Sequence, residues 1–213
     1  MENLLHRPYQ NESLDFIYNL LFCDHLPSPT EEDGDSYFKV LLDPASTEAA
    51  IKTLAEDENL ESRVRLFAYR KLAERGLTGL GQELLGVVVE IGLPGGLDVL
   101  ACYKDHTARY INYSGKLIIW ETPDHPEVRE FNTELFEHSR HIISQIGPWE
   151  EERRSPPPQG MLRISFLVAD GLYFGEGPAD GMFADGLAGP ALHAALDIMQ
   201  IITADNPDKE ENL

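Results

Sequence analysis

Apolar side chains recur at helical spacing in the first third of the chain and alternate with polar ones after Glu83, which predicts helices followed by a sheet. Leu14, Ile17, Tyr18 and Leu21 give an apolar side to a helix over 11–26, stopped by Pro27 and Pro29. The stretch 27–36 (PSPTEEDGDS) reads as an acidic loop, and Tyr37 to Leu42 as an edge strand or extended segment. Asp43-Pro44 has the chemistry of a helix start, a capping carboxylate before a proline at the first helical position. Ile51 and Leu54 line that helix. Another helix turns Val64, Phe67, Ala68 and Leu72 inward and ends at Gly76.

Beyond Glu83 the period changes. Leu85, Val87, Val89 and Ile91 mark one face of a strand, and the turn at Pro94-Gly95-Gly96 reverses it. The return strand sets Leu97, Val99, Ala101 and Tyr103 on one face and Asp98, Leu100 and Cys102 on the other. Turns at 104–106 and 114–115 add two more strands, making a four-strand antiparallel meander. Asp124 and Glu127 form a capping box ahead of a helix whose stripe is Val128, Phe131, Leu135, Ile142 and Ile146, with Ser139 on its midline and Gly147-Pro148 at its end. Residues 148–160 are a proline-rich loop. A hairpin over 161–174, an irregular glycine-rich stretch at 175–189 and a helix over 190–203 follow.

These elements predict an α+β fold: an antiparallel sheet of about six strands (meander, helix, hairpin, helix) with the two later helices on one face. An N-terminal helical region, 1–80, is expected as an appendage to the sheet domain at 81–204, with a charged tail at 205–213. The order of the sheet-domain elements resembles that of profilin-like and roadblock-like scaffolds. No residue motif of either family is present, so the likeness implies nothing about activity.

Charge changes the picture more than size does. The 213 residues carry a formal net charge of −20. The 30–36 loop holds four acids and the segment from Asp205 a net −3, which leaves −13 for the rest of the chain. Nucleic acids and anionic membranes are excluded as partners on this ground. No apolar run approaches the ~20 residues that span a bilayer, and the N-terminus lacks the basic and apolar blocks of a secretory signal. Two isolated cysteines, Cys23 and Cys102, fit a reducing compartment, so a cytoplasmic location is expected.

Several groups invite chemistry. Glu134, His138 and His141 fall within roughly a 60° sector of the capped helix at 100° per residue, an arrangement able to ligate zinc or a similar divalent ion. Asp170, Glu176, Asp180 and Asp185 lie among three Ala-Asp-Gly repeats and offer hard oxygen ligands, although these sites equally form turns. Trp149 with Pro156, Pro157 and Pro158 has the make-up of a peptide-docking ledge. Asp98 interrupts an apolar strand. No nucleophile elbow, phosphate loop or dinucleotide fingerprint occurs. The expected role is therefore a non-enzymatic interaction module, an adaptor, chaperone or inhibitor, that presents an acidic surface to a basic protein and needs no cofactor. The alternative is a metal-dependent enzyme, such as a hydrolase, built on the Glu134/His138/His141 flank or the Asp-Gly loops.

Overall fold

A computed structural model describes residues 6–24 and 37–205. The acidic loop at 27–36 and the tail from 206 lie outside them. Helices α1 (Glu12–Leu20), α2 (Tyr37–Leu42), α3 (Glu48–Glu56) and α4 (Ser62–Glu74) come first. Strands β1 (Leu84–Leu93), β2 (Gly96–Tyr103), β3 (Ala108–Ile111) and β4 (Leu117–Trp120) precede α5 (Pro126–Ile143). Then follow β5 (Met161–Val168), β6 (Gly171–Pro178), α6 (Ala179–Ala184) and α7 (Gly189–Ala204). All six strands form one antiparallel sheet in the order β4-β3-β2-β1-β5-β6, as the α+β reading requires.

Both faces of the sheet are covered. Leu84, Val87, Val89, Leu100, Cys102, Leu162, Ile164 and Phe166 pack under α5 and α7. Val88, Val99, Ala101, Tyr103, Ile111 and Leu167 pack under α1–α4, so the N-terminal helices are a second core layer rather than an appendage. Burying apolar area on two faces at once is what a strand such as Val87-Val88-Val89, without alternation, demands. Cys23 and Cys102 are free thiols in these two opposite layers and cannot meet; burial pushes each up to about 12.

Local departures from the expected pattern have local causes. A register shift between Leu84 and Gly86 is a bulge that turns Leu85 to the α1–α4 face, away from Val87 and Val89. Tyr37–Leu42 is a helix, not a strand, because Phe38 and Leu41, three apart, both point inward. Asp43 bonds the Ala45 N–H in a turn, and Thr47 caps α3 instead. At α5 the cap is His125, whose Nδ1 accepts from the Val128 N–H. Pro126 keeps the residue before it out of the helical region, so the helix begins at Pro126 and Asp124 is left outside the cap. Ser139 is fully buried where α5 closes on the core. The glycine-rich stretch is ordered: β6 runs to Pro178, and α6 follows.

Candidate functional site

The residues singled out by sequence do not gather in one place. Glu134, His138 and His141 are exposed on the outer side of α5. Among the described residues no three His, Cys, Asp or Glu side chains converge as a metal-binding group. Asp170 accepts from the Tyr173 hydroxyl at the β5–β6 turn, and Asp180 is exposed on α6. Asp185 accepts from the Ala188 and Leu187 N–H groups at the start of α7, and these bonds hold its carboxyl below the usual range. Trp149 packs inward, edge-on to Phe174 at 5.1 Å, and its N–H donates to the Glu152 carbonyl. Pro157 is buried, between a half-buried Pro156 and an exposed Pro158. The 148–160 segment thus straps β5 and β6 on the side where α1 ends.

Where strap and α1 meet lies a charged row that the sequence reading missed. Glu90, Arg163 and Glu176 are register partners on β1, β5 and β6, so all three side chains share one face. Glu90 is 0% exposed, and the Tyr18 hydroxyl donates to its Oε1 at 2.6 Å. Arg163 spends its Nε–H on Glu176 at 2.7 Å and two further nitrogens on the Arg154 and Ser155 carbonyls. It therefore reaches Glu90 Oε2 only at 3.5 Å, and that oxygen accepts no hydrogen bond. Arg153 closes the row from the strap, lying over the Phe22 ring at 3.9 Å and bonding Asp24, the Tyr18 hydroxyl and Asn19. A charge inside each of two apolar strands (Glu90 after three valines, Arg163 between Leu162 and Ile164) was the available signal.

Burial pushes the Glu90 carboxyl up, against the Tyr18 hydrogen bond and the Arg163 and Arg153 charges, which pull it down. The folded protein therefore binds this proton more tightly than the unfolded chain does. Stability consequently falls as pH rises from the ordinary glutamate range through the raised folded value. Glu90→Gln removes that loss. Its urea midpoint should gain on the native protein's as pH rises from about 4.5 to 7; a difference that stays constant across this range would contradict the assignment.

Two features face outward. On α5, Glu127, Glu130, Glu134 and Glu137 are all exposed and fall within roughly an 80° sector at 100° per residue. None of the four makes an ion pair among the described residues. The second feature is a pocket on the α5/α7 side of the sheet, floored by Val89, Ile91 and Leu100 and walled by Leu192, Leu196 and Met199. Asp98 sits at its edge and accepts from the Tyr110 hydroxyl at 2.9 Å and the Tyr113 N–H at 2.6 Å. Burial, with the Asp98 contact behind it, pushes the Tyr110 hydroxyl far up, so it remains a donor at neutral pH.

Together these elements define an antiparallel three-layer α+β protein with a buried ionic row. Comparison with protein-family models, curated proteins and solved structures finds no match to this chain. No helix among the described residues is long and apolar enough to cross a membrane.

Proposed function

We propose that this chain is a non-enzymatic interaction module that presents an acidic surface, centred on the outer face of α5, to a basic protein partner in the cytoplasm. The observation that carries the reading is the partition of charge. Arg65, Arg109 and Arg163 are buried, and Arg153 is largely covered; each is paired with a carboxylate, to Glu83, Glu121, Glu176 and Asp24 respectively. The Glu127/Glu130/Glu134/Glu137 stripe is left without such partners among the described residues, on a helix capped by His125.

A fixed row of like charges on a folded body attracts a cationic surface before contact and repels anionic ones, which favours fast, selective and salt-sensitive association. Affinity capture on the immobilised protein at about 50 mM and then about 500 mM salt tests this, since screening shortens the reach of exposed charges severalfold over that range. Basic proteins should be retained at the lower concentration and lost at the higher. Retention of the same partners at both concentrations, or a retained set without basic proteins, would overturn the reading.

A further inference from the structure

The pocket beside α7 carries a different specificity from the α5 stripe, and no α5 residue lines it. It is a small hollow open to solvent, with room for one side chain rather than an extended ligand. Apart from Asp98 and the Tyr110 hydroxyl, every lining residue is apolar, Phe183 among them. Both Asp98 oxygens are fixed by donors, yet the carboxylate makes no ion pair among the described residues. It is thus an oriented, uncompensated negative charge at the rim of an apolar hollow, where low polarity strengthens attraction to a cation. Tyr113, whose N–H holds Asp98, is 55% exposed.

We infer that this pocket docks a basic peptide segment, seating one apolar side chain between β1/β2 and α7 while a neighbouring lysine or arginine pairs with Asp98. Charge complementarity selects this occupant. An apolar group beside a carboxylate would be repelled by Asp98 and by the −20 chain, and a cation without an apolar neighbour would leave the hollow unfilled.

Three blocked tripeptides serve as probes: Ac-Lys-Leu-Lys-NH2, Ac-Lys-Ser-Lys-NH2 and Ac-Glu-Leu-Glu-NH2. Each is titrated into the full chain while the methyl resonances of Ile91, Leu192, Leu196 and Met199 are followed. The first should give saturable shifts at these methyls and the other two none. Asp98→Asn should weaken the first peptide by about fivefold or more, the scale of a partly buried ion pair. Ala195→Leu, which fills the wall, should abolish the shifts; if that variant does not fold, the Asp98→Asn result alone decides. Equal shifts from all three peptides, shifts without saturation, or an unchanged affinity in Asp98→Asn would overturn the inference. The α5 reading is independent of this outcome, because a pocket that stays silent leaves salt-sensitive capture untouched.

Discussion

Arg163→Met is expected to lower stability by about 3–5 kcal/mol at pH 8, the scale on which breaking one side of a buried ion pair acts. The arginine is 3% exposed and serves Glu90, Glu176 and two strap carbonyls at once. Methionine fills similar volume but removes the guanidinium that faces Glu90 from the neighbouring strand, leaving the Arg153 charge from the strap to act on that carboxyl. Two controls follow from the same geometry. The loss should shrink as pH falls toward the ordinary glutamate range, because the raised Glu90 carboxyl takes up its proton on the way. The double variant Glu90→Gln/Arg163→Met should recover roughly 1–3 kcal/mol of it, since the uncompensated charge is gone. Urea unfolding midpoints of the four proteins of this cycle measure both. Additive effects of the two substitutions would show that the pair is not coupled.

Gly92→Ala should produce the second largest loss. A Cβ there would overlap the Pro158 carbonyl and stand 2.6 Å from the Pro157 carbonyl oxygen, both of them backbone that cannot turn aside as a side chain does. The Gly160 N–H donates to the Gly92 carbonyl at 2.8 Å, so the strap is tied to β1 at this point. Lifting it should cost about 1–3 kcal/mol or more, as overpacking does elsewhere. Trypsin should then cut after Arg153 or Arg154 faster than in the native protein. Gly147→Ala, with open space around its Cβ, is the matched control. Native cleavage rates in Gly92→Ala would mean that the strap does not depend on that contact.

Much of the fold was readable because period and punctuation agree within single segments. The meander, the α5 stripe from Val128 to Ile142 and the final helix each carry their own signal, whereas Ile146 lies beyond the end of α5 and is exposed; the structure places Leu97, Val99, Ala101 and Tyr103 together as alternation requires. What was not readable depends on partners remote in sequence. Whether Tyr37–Leu42 is strand or helix is decided by what Phe38 and Leu41 pack against. The bulge at Leu84–Gly86 shows only in the register with β5. That the N-terminal helices cover the second sheet face follows from Val88 and Val99 needing cover, which a one-faced sheet would not supply.

The buried row was illegible for a related reason. Glu90 and Arg163 are 73 positions apart, and only the pairing of β1 with β5 aligns them. Glu176 was noticed as a possible cation ligand among glycine-rich turns, whereas its partner is Arg163 on the neighbouring strand. Asp98 is marked in the sequence only as an acid in mid-strand. Its setting, an apolar hollow with two fixing donors, required α7 and the β3–β4 turn to be in place.

In the proposed role the α5 carboxylates choose the partner. The direct measurement is the association rate of a captured basic partner with the native chain and with Glu130→Lys/Glu134→Lys/Glu137→Lys, at low and high salt. The native rate should fall by about tenfold or more as salt rises, and the charge-reversed protein should be slow at both concentrations, since steering by fixed charge acts on the encounter step. Equal rates for the two proteins at low salt would contradict it.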